Sequence, residues 1–198
     1  SLSEGLENDE RKQVSQDFCK HLYRCYIVTD RLNDQEMGIE VIKSLREFGV
    51  ASVTWRDEHL TEFVLFSSLE PIGQIIISKK LSESMLAVTN ALTEIGKAAS
   101  ENNQGCLASM ACCILSNLAL DSADSRFPDY FQNLPDTIEQ ICKVALDNSL
   151  LYPIHSANSR LRSCAEKAIE SDIDDHDISM IIGSLGNIGR KSVEKAAE

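Results

Sequence analysis

Ser44-Leu-Arg-Glu-Phe-Gly49, Ser68-Leu-Glu-Pro-Ile-Gly73, Ala91-Leu-Thr-Glu-Ile-Gly96 and Ser184-Leu-Gly-Asn-Ile-Gly189 are four copies of one short pattern. Each places an apolar residue three positions after its leucine and a glycine four after it. Leu45, Leu69 and Leu92 lie 24 and 23 residues apart, and Leu92 and Leu185 lie 93 apart, four steps of about 23. That spacing predicts further copies at Leu22, Leu115, Ile138 and Leu161, and all four positions are aliphatic.

The flanks repeat as well. Three residues after these eight positions stand Cys25, Phe48, Ile72, Ile95, Leu118, Ile141, Cys164 and Ile188. Four residues after stand Tyr26, Gly49, Gly73, Gly96, Ala119, Cys142, Ala165 and Gly189, small in all but the first. Four residues before, every unit is apolar, from Phe18 and Val41 to Ala157 and Ile181. Offsets of −4, 0, +3, +4 and +7 trace one face of an α-helix, so each copy reads as one amphipathic helix. A unit of about 23 residues leaves about 16 of helix, near 24 Å at 1.5 Å per residue, and about seven of turn. Short turns make neighbours antiparallel, so two units form a hairpin of about 46 residues. The expected fold is all-α, a solenoid of about eight antiparallel helices. Glycine inside a helix costs about 1 kcal/mol against alanine. Close approach of the next helix backbone at Gly49, Gly73, Gly96 and Gly189 would compensate.

Residues 1–9 read as a tag or disordered start, and 10–198 as one helical-repeat domain with a longer connection at 124–136. Asn33 or Asp34, Asp57, Ser82 or Ser84, and Ser156 or Asn158 are the expected helix caps. Ser100–Gly105 and the acidic stretch Ser171–Asp177 are expected turns. Pro71 lacks an N–H inside a predicted helix and should kink or split it.

A pair period near 46 residues resembles the HEAT and armadillo class of helical repeats, whose hairpins run about 40 to 47. The resemblance covers roughly residues 10–198 and rests on period and pattern. It implies an extended interaction surface without catalysis.

Composition narrows the partners. The net charge is −12 and the pI about 4.8. Such a surface repels phosphate backbones and anionic lipid, so neither nucleic acid nor direct membrane insertion is expected. The longest apolar run, Pro71–Ile77, falls short of a bilayer span. Seven cysteines among apolar helical positions read as reduced core thiols of a cytoplasmic protein.

Chemistry is thinly represented. His21 and Cys25 are four apart on one helix with Cys19 near, but no second pair completes a four-ligand metal site. Cys112 and Cys113 point in different directions on a helix, against redox pairing. Asp172, Asp174, Asp175, His176 and Asp177 suggest a cation loop, yet the sixth and twelfth positions hold Asp177 and Gly183 instead of glycine and glutamate. His155 beside Ser156 makes no triad, and no Gly-x-Ser-x-Gly elbow occurs. The expectation is therefore no catalytic, cofactor or metal residue. The chain reads as a non-enzymatic scaffold for a protein or peptide, with a basic one favoured. The alternatives are a cytosolic regulatory module of a larger, membrane-tethered protein and, from another class, an enzyme or metal-binding bundle. Apolar residues spread around the first and last helices suggest that at least one end is covered, by self-association through a terminal helix or by a further portion of a longer parent chain.

Overall fold

The computed structural model describes residues 2–125, 127, 133–171 and 173–196, with side chains from residue 13 to 195. The elements are α1 (Leu2–Arg31), α2 (Gln35–Thr54), α3 (Glu58–Val64), a π-helical stretch (Leu65–Leu69), α4 (Glu70–Lys79), α5 (Ser82–Glu101), α6 (Gly105–Asp124), α7 (Leu134–Asp147), α8 (Leu151–Glu170) and α9 (Asp175–Ala196). No strand occurs among the described residues.

The turns are tighter than the sequence suggested. In unit after unit, the backbone N–H twelve residues after the leucine position bonds the carbonyl seven after it. The pairs include Asp34 to Thr29 at 2.9 Å, Asp57 to Ser52 at 3.0 Å, Gln104 to Ala99 at 2.8 Å and Leu150 to Ala145 at 2.8 Å. Such a bond closes a Schellman-type helix end, which needs one left-handed residue. That residue is Asn33, Arg56, Lys80, Asn103 or Ser149, with φ between 55 and 59°. The turn therefore takes about three residues, not seven. The helices lengthen to match: α2, α5, α6 and α8 each run 20 residues, near 30 Å.

Turn geometry also decides the caps. Asp34 and Asp57 act as expected, their Oδ1 atoms accepting the N–H of Met37 and Leu60 at 3.0 Å. Elsewhere the expected caps are wrong. Leu81, not Ser82 or Ser84, precedes α5, and Leu150, not Ser156 or Asn158, precedes α8. The closure of the preceding turn fixes where the next helix begins, whatever the polarity of the residue there. Pro153 is tolerated because the first turn's N–H groups have no helical partner. The expected turn at Ser100–Gly105 shrinks to Asn102–Gln104, and α9 begins at Asp175 inside the stretch expected as an acidic turn. α1 reaches back to Leu2, through the residues set aside as a tag-like start. In the longer connection, residue 126 and residues 128–132, Pro128 among them, lie outside the described residues. Its end is helical, with Leu134 and Pro135 in the first turn of α7.

Pro71 does disturb its helix. It sits in the first turn of α4, where its missing N–H is harmless, and the five-residue π stretch precedes it. α3, the π stretch and α4 thus make one bent unit, and the chain is an all-α repeat solenoid.

Each helix packs on the next and on the one after that, giving two layers. One contains α1, α3–α4, α6 and α8, and the other α2, α5, α7 and α9. Leu45, Leu69, Leu92, Leu115, Ile138 and Leu161 are fully buried between the layers. Leu185, expected to be buried at the equivalent point, is only partly buried against the core, as is Leu22. Both lie on the first and last helices, which among the described residues pack mainly against neighbours on one side.

The glycines show how layers are built. A Cβ on Gly49 would run into Ile95 Cδ1, one on Gly73 would meet Leu118 Cδ1 at 2.7 Å, and one on Gly96 would meet Ile141 Cδ1 at 2.7 Å. Ile95, Leu118 and Ile141 all occupy the +3 position of the helix two units on. Each glycine is therefore a socket for an aliphatic knob, and not the backbone contact expected from the sequence. Gly189 departs further: nothing lies within 4 Å of its Cβ position.

Candidate functional site

The residues with chemical potential are dispersed. Cys19 is buried while Cys25 is exposed, so Cys25 is not the core thiol expected from the sequence. The His21 ring, through Nδ1, lies 2.6 Å from the Asp17 carbonyl of its own helix. In the acidic stretch, Asp174 Oδ1 accepts the His176 N–H at 2.8 Å. Asp177 is buried, and desolvation with the nearby Asp174 carboxylate raises its pKa. Asp172 lies outside the described residues. No group of three His, Cys, Asp or Glu side chains able to hold a metal ion occurs among the described residues.

The thiols divide sharply. All seven are free; Cys25 and Cys106 are exposed, and Cys19, Cys112, Cys142 and Cys164 are buried. Burial pushes Cys19 and Cys164 up to about 12. A hydrogen bond with Cys142, followed by burial, holds Cys112 well above the ordinary thiol range. The thiolate is the reactive form, so these groups stay inert near neutral pH. Native alkylation should modify Cys25 and Cys106 first and leave the four buried thiols unmodified until the chain unfolds. Peptide mass spectrometry checks this; early modification of Cys112 or Cys164 would contradict the packing.

Two of the surface hollows are lined by described residues. One of about 180 Å³ lies where the turn after α1 meets α4 and α5, lined by Tyr26, Asp30, Asp34 and Lys79 among others. Lys79 Nζ spans it to Asp30 Oδ1 at 2.7 Å. Burial, then the Asp30 charge, raises the Tyr26 phenol above its ordinary pKa. The other is a shallow strip between α7 and α9, lined by Asp136, Glu139, Gln140, Lys143 and Lys191. Glu139 accepts from Lys191 Nζ at 2.6 Å and from Asn187 Nδ2 at 3.3 Å, and the lysine chiefly lowers its pKa. The same repeat positions meet in the other layer, where Asn117 Nδ2 donates to Glu70 Oε1 at 3.2 Å. These polar groups are thus committed to holding units in register, and neither hollow gathers groups for a reaction.

The layer of α2, α5 and α7 carries the clearest surface signal. Glu36, Glu40, Glu47, Glu83, Glu94 and Asp136 are all exposed on it. Lys43 and Lys97 offset part of this charge through pairs with Glu40 at 2.6 Å and Glu94 at 3.0 Å. Glu47 and Glu94 stand two residues after their leucines in units two apart. They are therefore about one helix spacing, 8–10 Å, from each other across the layer.

The sequence expectation that no segment could span a bilayer needs correction. Glu58–Lys79 and Gly105–Asp124 are long and apolar enough by length and composition. Both are central units of the array, with 56% and 67% of the apolar window buried inside it, which accounts for their composition.

No family model and no curated protein matches the chain. Solved helical repeat structures do. One described as "DHF46 filament" superposes with a TM-score of 0.71 at 9% identity, over 91% of this chain and 99% of that one. Another, "Circular tandem repeat protein with novel repeat topology and enhanced subunit contact surfaces", gives a TM-score of 0.58 at 18% identity. It is matched over 99% of this chain, which spans half of its length. At these identities the likeness concerns the fold alone.

Proposed function

We propose that the chain is a non-catalytic interaction scaffold of the HEAT or armadillo type that engages a basic protein segment on the layer of α2, α5 and α7. The acidic rows on that layer carry the reading. Carboxylates recur at equivalent positions on α2 and α5, Glu47 with Glu94 and Glu36 with Glu83, so an extended segment crossing these two helices meets one on each, and α7 adds Asp136 at another position of its unit. Their sign matches the net charge of −12, which steers cations toward the surface and speeds encounter.

The test uses a lysine- and arginine-rich peptide labelled for fluorescence anisotropy. Binding should weaken as salt rises, because exposed charges are screened within about 10 Å at 0.1 M. Glu47→Lys with Glu94→Lys should lower the affinity about tenfold, about 1.4 kcal/mol, while the helical circular dichroism stays unchanged. Equal binding by the variant, or by a peptide with its charges removed, would refute the acidic layer as the binding face.

A further inference from the structure

The two ends of the array are complementary halves of its own internal joint. Inside the array, each helix turns one stripe toward the helix two units before it and another toward the helix two units after it. The preceding stripe runs through offsets −4, −1 and +3, as in Val88, Ala91 and Ile95 of α5, all buried. The following stripe holds the +4 socket, as in Gly49, with Ile42 and Val53 at −3 and +8 beside it, also buried.

α1 and α2 have no helix before them, and α8 and α9 have none after them among the described residues. The preceding stripe of α1 is consequently open. It begins at Val14 and Phe18, passes the exposed His21 and Cys25 and reaches Val28 and Leu32, with exposures of 49 to 72% for Val14, Phe18, Val28 and Leu32. On α2 the same stripe carries Met37 and Trp55, 52% and 63% exposed. Phe48 holds the knob position between them, its ring centroid 5.3 Å from that of Phe18 with the two rings tilted at 57°. At the far end, the following stripe of α9 bears Ile182 and Val193, 55% and 71% exposed, around the empty Gly189 socket. Ile169 on α8 is exposed in the same register. Nine of the thirteen exposed large apolar side chains among the described residues fall on these two end stripes. A repeat array whose ends face water carries polar outer faces on its terminal units; these ends carry large apolar side chains, interrupted on the preceding stripes by the exposed His21 and Ser44.

We infer that the occupant of each end is a second copy of this chain, stacked head to tail. α8 and α9 of one copy receive α1 and α2 of the next, with Phe48 over Gly189 and Cys25 over Ala165. The joint repeats the packing already made at Gly49, Gly73 and Gly96. The contact is heterologous, so copies add in a row or close into a ring. Each copy carries −12, so repulsion opposes stacking at low ionic strength and salt relieves it. The inference does not depend on the basic-partner reading, which concerns a different face.

Sedimentation and light scattering over a concentration series, at low and high salt, test it. The mean mass should pass twice the 21.9 kDa of one chain, and more readily at high salt. Two variants give the direction. Val28→Glu blocks the α1 end, and Gly189→Glu blocks the α9 end without a clash. Each alone should stay monomeric, while an equimolar mixture should form a heterodimer and stop there. Leu86→Glu, on an interior helix, adds the same charge and should leave association intact. The inference is overturned by a wild type that stays monomeric at every concentration and salt, which would leave the end stripes to other helices or another partner. It is equally overturned if Gly189→Glu alone dimerises, the mark of a symmetric α1 contact, or if the mixture stays monomeric. Circular dichroism melts of the variants exclude unfolding as the cause.

Discussion

Replacing Gly96 with leucine should destabilise the array by about 1–3 kcal/mol or more, the usual range for overpacking a filled core. The reason is local. Even the first added atom would stand 2.7 Å from Ile141 Cδ1 and 3.1 Å from the Ala111 Cβ. Ile141 is itself fully buried, and Ala111 belongs to α6, so α6 and α7 must both move to make room. The gain of about 1 kcal/mol in helix propensity from removing a mid-helix glycine acts in the opposite direction. It decides the sign only where the socket is empty. Gly189→Leu supplies that case: it repeats the same local motif, meets no atom within 4 Å, and should keep or raise the melting temperature of the dilute, low-salt protein. Thermal unfolding followed by circular dichroism compares the two. A Gly96→Leu protein that melts at the wild-type temperature would remove the knob-and-socket account of the repeat.

The same pair of glycines marks what could be read without coordinates. Helix content and period were legible because Leu45, Leu69 and Leu92 combine a fixed spacing with a 3.6-residue face, and both follow from local geometry. The split at Pro71 was legible for the same reason, since a missing N–H is a property of the residue. The turns were misjudged because their left-handed positions hold Arg56, Lys80 and Ser149, where glycine or asparagine would have been the usual signal. Their spacing of 23 and 24 residues was in the sequence, but only as an unremarkable set of polar residues. Leu81 and Leu150 before α5 and α8 were illegible as helix starts, because the preceding turn, not the side chain, does the capping. The difference between Gly96 and Gly189 was equally hidden: the motif is the same, and only the presence of a helix two units on separates them. The outward acidic rows followed from charge in a general way. Their placement on one layer required knowing which units share it.

Truncating the repeat leucine should show a gradient along the array. Leu92→Ala should cost about 2–5 kcal/mol, the range for deleting a fully buried leucine that leaves a cavity. Leu92 has no exposed surface, and its helix, α5, packs on α2 and α4 on one side and on α6 and α7 on the other. No neighbour can collapse into the gap without giving up its own socket at Gly49 or Gly96. Leu185→Ala removes the same atoms from a partly buried site on α9, which among the described residues packs mainly on α7 and α8. Water already reaches part of that side chain, so both the transfer and the cavity contributions shrink. In an array held by nearest-neighbour interfaces, the centre loses two interfaces and the end only one. The readout is urea unfolding at a concentration and salt where the chain is monomeric, with amide exchange to locate the loss. Leu92→Ala should accelerate exchange on both sides of α5, and Leu185→Ala in α9 and the facing turns of α7 and α8. If Leu185→Ala cost as much as Leu92→Ala under monomeric conditions, α9 could not be an end helix with one open face, and the socket at Gly189 could not be vacant in solution.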